Sequence, residues 1–147
     1  MTVKAAIFDV FGTVVDWRTG VAEAVAPALA AKGTGLEPRA FADAWRAEYQ
    51  PGMERVRSGG RPYVALDVLH RENLERVLAA HGLSAAFGDH EKAALNTAWE
   101  QLPPWPDSVG GIAAIAVQMP VAPCSNGSIG LMVRLARFAG LTWDAIL

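Results

Sequence analysis

Cysteine is nearly absent: Cys124 is the only one in 147 residues. This excludes an intramolecular disulfide and any zinc site built on cysteines. Basic excess is absent too. The formal net charge is −2, which gives no electrostatic reason to expect nucleic acid or an anionic membrane as a partner. Long apolar runs are missing. The most apolar window, residues 109–124, is broken by Gln118, Pro120 and Pro123, and it is shorter than the roughly 20 residues a spanning helix needs. The N-terminus shows no basic stretch followed by a long apolar region and a cleavage site, so a reducing cytoplasm is the expected compartment. There are no repeats and no low-complexity tracts. Hydrophobic residues make up 52% and charged residues 19%, the balance of a folded chain with a real core rather than a disordered one.

Residues 3–10 (VKAAIFDV) form a short, nearly continuous apolar run. Apolar character on both faces predicts a buried strand of a parallel sheet. Gly12 allows a sharp turn after it. Residues 21–32 are Ala-rich and helical, with Pro27 as a site for a kink and Gly33 as the stop. Glu37-Pro38 opens a second helix carrying Phe41, Trp45 and Tyr49 on one stripe, and Pro51-Gly52 interrupts it. Residues 58–62 read as a loop. Residues 63–81 and 89–102 read as helices, and residues 103–107 as a stiff connector. A helix over 109–117, a strand over 119–124 and a helix over 130–138 follow. Residues 143–147 look like the approach to another strand.

The order is therefore strand, long helical stretch, helix, strand, helix. This predicts an α/β fold: a Rossmann-like parallel sheet core from residues 1–16 and 103–147, with a helical insertion over 17–102. In such sheets ligands bind beyond the carboxyl ends of the strands, where both polar turns fall.

Asp9 ends the first strand. A carboxylate there is costly unless it faces a cleft or is satisfied by neighbours, although a plain turn-capping Asp is also compatible with its position. Ser125 and Asn126 end the second strand with a hydroxyl, an amide and turn N–H groups; an ordinary Asn-Gly turn is the simpler reading of that pair alone. Cys124 reads as a buried structural thiol. His70, His81 and His90 lack metal-ligand spacing and read as surface or helix-end residues. Arg46, one step off the apolar stripe, has Glu48 and Asp43 as nearby ion-pair partners. The five Trp read as packing residues.

Together these pieces form a pattern. Residues 7–14 (IFDVFGTV) resemble motif I of the haloacid dehalogenase superfamily, and Ser125-Asn126-Gly127 resembles its motif II. The helical insertion resembles its cap domain. More narrowly, DVFGT, Trp45-Arg46 and SNG resemble the type II (S)-2-haloacid dehalogenases. The resemblance implies a hydrolase that removes halide from short 2-haloalkanoic acids without a cofactor or metal. It implies Asp9 as the nucleophile that forms an ester intermediate, later hydrolysed by water. Thr13 would orient Asp9, and Phe11 would form an apolar wall. Arg46 would meet the halide or the carboxylate region, Asn126 the departing halide, and Ser125 the substrate carboxylate. A homodimer through cap helices is the expected assembly.

The phosphatases of the superfamily usually carry a second Asp two residues after the first, which protonates the leaving alkoxide. Phe11 holds that position here. A halide leaves without a proton, so the site suits carbon–halogen cleavage better than phosphate-ester cleavage. A phosphatase and an inactive remnant acting as a binding or dimerisation module are the alternatives. The family continues with a strand bearing a catalytic Lys and then with acidic residues. This chain has no Lys after Lys92, and its only acid after Asn126 is Asp144. It therefore reads as the N-terminal portion of a dehalogenase, with the core incomplete at the C-terminus, impaired turnover, and an apolar residue 3–10 edge open to strand addition.

Overall fold

A computed structural model describes residues 2–147. In chain order the elements are β1 (Ala6–Phe8), α1 (Trp17–Ala31), α2 (Pro38–Ala47), α3 (Tyr49–Arg57), α4 (Leu66–Ala80), α5 (Asp89–Asn96), a 3-10 turn (Thr97–Glu100), α6 (Ser108–Ala116), β2 (Val121–Pro123) and α7 (Ile129–Ala139). They fall into two compact units. One contains residues up to Gly20 together with Trp99–Leu147, and the other is Val21–Ala98.

The first unit is α/β. β1 and β2 pair in parallel, with Ala6 opposite Val121, Ile7 opposite Ala122 and Phe8 opposite Pro123. A parallel pair needs a crossover connection, and α6 enters β2 from within that connection. β2 is buried throughout. β1 is not the doubly buried strand its composition predicts: Ile7 is 60% exposed and Val3 68%. β2 is the only strand beside it among the described residues, and one neighbour leaves the other edge and one face in water. The first turn of α1 lies close against the segment entering the second half of the unit. A Cβ on Gly20 would stand 2.6 Å from Pro103 Cδ and 3.2 Å from Leu102 Cα, so only glycine permits this approach.

Residues 103–107 are more than a connector. Pro104 bridges Val15 in antiparallel fashion, the Asp16 amide donates to the Pro103 carbonyl at 2.9 Å, and the Trp105 amide donates to Val14 at 3.0 Å. Residues 143–147 form no strand, yet they run beside β2. The Asp144 and Leu147 amides donate to the carbonyls of Val121 and Pro123, and the Asp144 carboxylate accepts the Val121 amide at 2.8 Å.

The second unit is helical. α1 runs unbroken through Pro27. Glu37 caps α2, its carboxylate accepting the Ala40 amide at 2.7 Å, and Pro38 follows where its missing N–H is not needed. The interruption expected at Pro51-Gly52 falls instead at Glu48, because a proline in the first turn of α3 forfeits no intrahelical bond. α4 starts at Leu66 rather than 63, since Pro62 favours an extended chain before it. Phe41, Trp45, Leu69, Leu74 and Leu78 form the core. Trp45 and Phe41 meet edge to face, and the Trp45 indole donates to the His70 carbonyl at 2.9 Å, which ties α2 to α4.

His70 corrects the surface reading: it is 3% exposed. α4 turns it inward with Leu69, Asn73 and Leu74. Burial, followed by the positive charge of Arg46, pushes its pKa down to about 3. His81 ends α4 and is exposed, as is His90. Around this core Lys92 and Arg71 converge on Glu75, and Arg61 grips Glu72 in a two-pronged contact. The hydrogen bond from Lys92 holds the Glu75 carboxyl below its ordinary range, and that from Arg61 does the same for Glu72.

Candidate active site

Asp9 leaves β1 at its carboxyl end and enters a tight loop. The amides of Val14 and Val15 both donate to the Val10 carbonyl, at 2.9 and 3.2 Å, and the Gly12 amide donates to Val15 at 3.0 Å. Gly12 carries φ of 98°, a region closed to most side chains. The loop turns Thr13 back over Asp9, and the hydroxyl donates to Asp9 Oδ2 at 2.7 Å. One carboxylate oxygen is thereby fixed. Both residues are solvent-exposed.

Three contacts from the chain beyond residue 98 hold this loop. The Trp105 indole donates to the Gly12 carbonyl at 3.1 Å, and the Ser108 hydroxyl donates to the Val14 carbonyl at 2.7 Å. Phe11 is half-buried and meets Trp99 edge to face at 6.1 Å, while Trp99 stacks on Trp17 at 6.2 Å. Sequence reasoning missed Trp105 and Ser108 as loop supports. They lie more than ninety positions from their partners, and no local pattern marks such a pairing.

The parallel register brings the second polar turn to the same edge of the sheet. Cys124 donates its amide to the Phe8 carbonyl at 2.8 Å, which sets it level with Asp9. Ser125 and Asn126 follow immediately. The Ser125 hydroxyl oxygen accepts the Gly127 amide at 3.2 Å, and Ser128 caps α7 by accepting the Leu131 amide at 3.1 Å. A Cβ on Gly127 would sit 2.5 Å from Met132 Cε, so the end of that flexible side chain would have to shift to admit one. Cys124 is exposed, contrary to the buried thiol expected, because it lies past the last buried residue of β2 at the open carboxyl edge.

Asp9, Phe11, Thr13, Ser125 and Asn126 thus belong to the first unit, on adjacent strand ends and the loops after them. Arg46 belongs to the second unit, in the last turn of α2, with its guanidinium carbon 4.2 Å from the Tyr49 ring centroid. A groove of about 220 Å³ opens beside the Asp9 loop, lined by Phe8, Thr13, Val14, Ser108, Ile112 and Ile115. Its lining contains neither Asp9 nor Ser125, so it is a neighbour of the site and not the site itself. Among the described residues, no three His, Cys, Asp or Glu side chains are gathered to hold a metal ion.

What this arrangement can do is covalent chemistry on a small electrophile, with a held carboxylate as the attacking group and hydroxyl and amide donors on the next strand end. A profile of the haloacid dehalogenase-like hydrolases matches residues 3–146. The chain belongs to this family. Among solved structures, a defluorinating L-2-haloacid dehalogenase aligns with a TM-score of 0.96 at 48% identity, over 99% of this chain and 60% of that one. Another L-2-haloacid dehalogenase aligns at 0.92 and 39% identity, over 99% and 62%. The L-2-haloacid dehalogenase of Xanthobacter autotrophicus with chloropropionic acid covalently bound aligns at 0.85 and 27%, over 99% and 56%. The chain thus spans about 60% of the length of the first of these structures. A comparison with curated protein sequences found no match.

Proposed function

We propose that this chain carries the nucleophile half of a 2-haloacid dehalogenase, with Asp9 as the attacking residue and the helical unit as its cap. The observation that supports this most is the Thr13 hydroxyl bound to Asp9 Oδ2 at 2.7 Å on a loop whose next side chain in line, Phe11, is apolar. Thr13 fixes one oxygen and so directs the other. Asp9 attacks the halogen-bearing carbon. A carbon–oxygen bond forms, the carbon–halogen bond breaks, and the halide leaves with the bonding electrons. Water then adds to the Asp9 carbonyl of the ester. The acyl–oxygen bond breaks, releasing a 2-hydroxy acid and one proton and restoring the carboxylate.

No step protonates the leaving group, so Phe11 costs the reaction nothing. Ser125 binds the substrate carboxylate and Asn126 the departing halide. Arg46 supplies the positive charge that meets carboxylate or halide. The relative with chloropropionic acid covalently bound supports a covalent route here.

Halide release from (S)-2-chloropropionate by the purified chain, in single turnover in oxygen-18 water, tests the reading. The hydroxyl oxygen of the first product must come from Asp9 and carry no label. Label in that first product refutes covalent attack by Asp9. Hydrolysis of a phosphate monoester that depends on Mg²⁺ would favour the phosphatase reading instead.

A further inference from the structure

We infer that Trp105 and Ser108 are positioning residues for the nucleophile: by clamping the main chain on both sides of Thr13, they set the rotamer from which its hydroxyl holds Asp9. This rests on the reading of Asp9 as the attacking carboxylate. Thr13 donates to Asp9 Oδ2 at 2.7 Å, and that bond fixes the carboxylate only as well as Thr13 is itself fixed. The residue before Thr13 is Gly12, at φ of 98°. Glycine has no Cβ to bar other conformations, so the peptide between Gly12 and Thr13 would turn easily if left alone. The Trp105 indole N–H holds the carbonyl of that peptide at 3.1 Å. On the other side, the Val14 carbonyl accepts the Ser108 hydroxyl at 2.7 Å and the Trp105 amide at 3.0 Å.

The two donors are themselves held. Trp105 stands between Pro104 and Pro106, whose rings restrict the chain. Pro104 bridges Val15, and the Asp16 amide donates to the Pro103 carbonyl at 2.9 Å. Ser108 opens α6, and its amide donates to the Trp105 carbonyl at 3.0 Å, which ties one donor to the other. Neither side chain is needed to close the Asp9 loop, because the amides of Gly12, Val14 and Val15 close it from within. What the side chains add is orientation. Their bonds end on main-chain carbonyls, so they act on Asp9 through Thr13. Such orientation matters to rate, since a nucleophile displaced by about 1 Å can lose on the order of a hundredfold.

The test uses the whole chain. Trp105→Phe removes the indole N–H and keeps a ring, Ser108→Ala removes the hydroxyl, and Ser108→Thr keeps it. Halide release from (S)-2-chloropropionate gives kcat and KM. Three-bond NMR couplings from the Thr13 methyl carbon to its backbone nitrogen and carbonyl carbon give its χ1 rotamer. Trp105→Phe and Ser108→Ala are each expected to lower kcat about fivefold to tenfold with KM within about twofold of the parent. Each should also replace single-rotamer couplings at Thr13 by averaged ones, and Ser108→Thr should restore both readouts. Trp105 is 37% exposed, so Trp105→Phe stands as the second variant should Ser108→Ala not fold. A parent that releases no halide, or an Asp9→Asn variant with the parent's rate, refutes the reading of Asp9 and takes this inference with it. If Asp9→Asn is inactive while Trp105→Phe and Ser108→Ala keep the parent's kcat, the inference alone is overturned. Thr13 couplings unmoved in both variants overturn it whatever the rates show.

Discussion

Acidification from pH 7 to pH 5 should destabilise this protein through His70. The folded state holds the imidazole at a pKa of about 3, against an ordinary value of 6.5, because burial opposes its charging and Arg46 repels the proton. As pH falls through 6.5, the unfolded chain takes up a proton that the folded chain refuses. Folding free energy is therefore flat above that value, falls below it, and stops falling once pH passes the folded pKa. Integrating between the two pKa values, the loss is about 0.8 kcal/mol at pH 6 and about 2 kcal/mol at pH 5. Glu72, Glu75 and Glu91 are shifted downward, so what they contribute is lost only below the ordinary carboxylate value of 4.5. The interval from pH 5 to 7 therefore isolates the histidine among these groups. Urea unfolding followed by tryptophan fluorescence at pH 7, 6 and 5 reads it directly, as a midpoint falling by about 1 M over the interval. His70→Gln leaves the His70 carbonyl in place for the Trp45 indole. It should be less stable than the parent at pH 7 and nearly insensitive to pH down to 5. A parent with equal stability at pH 7 and pH 5, or a His70→Gln variant with the parent's slope, would refute the reasoning.

Asp9→Asn should abolish halide release, and EDTA should leave the parent rate unchanged, because neither step of the proposed reaction calls for a metal; a rate restored only by Mg²⁺ contradicts this. Gly20→Ala should cost about 1–3 kcal/mol in urea unfolding, since the new Cβ would stand 2.6 Å from Pro103 Cδ with backbone close behind. Gly111→Ala on α6 meets open space and should instead stabilise by up to about 1 kcal/mol, so equal signs for the two changes would show the packing argument to be wrong. Light scattering over a concentration series should show the parent chain associating, and Ile7→Lys should suppress that association by placing a charge beside the open edge of β1.

The position of the site was legible because it depends on order along the chain. A strand ending in Asp9, a turn with glycine at Gly12, and a hydroxyl at Thr13 are local features, and so are the second strand and its Ser125-Asn126-Gly127 turn. The parallel β1–β2 register then brings the two ends together with no further information. The supports of the Asp9 loop were not legible. Trp105 and Ser108 bind main-chain carbonyls of Gly12 and Val14, and such a bond leaves no trace in the identity of the acceptor residue.

The misread residues share a single cause, which is that burial belongs to neighbours and not to a residue's own pattern. Ile7 sits in as apolar a run as any buried strand, yet it is exposed because only one edge of β1 is paired. Cys124 ends an apolar strand and is exposed because the next step lies on the open carboxyl edge. His70 is followed by the charged Arg71 and Glu72, and it is buried because it lies on the face of α4 that also carries buried Leu69, Asn73 and Leu74. The Arg46–Tyr49 contact is the informative contrast. Its spacing of three is the distance at which helical side chains meet, so the signal was present in the sequence. Composition obscured it, because acidic partners at Asp43 and Glu48 offered the more ordinary explanation for an arginine. The structure shows the ring centroid 4.2 Å from the guanidinium carbon, an aromatic contact beside whatever those acids provide.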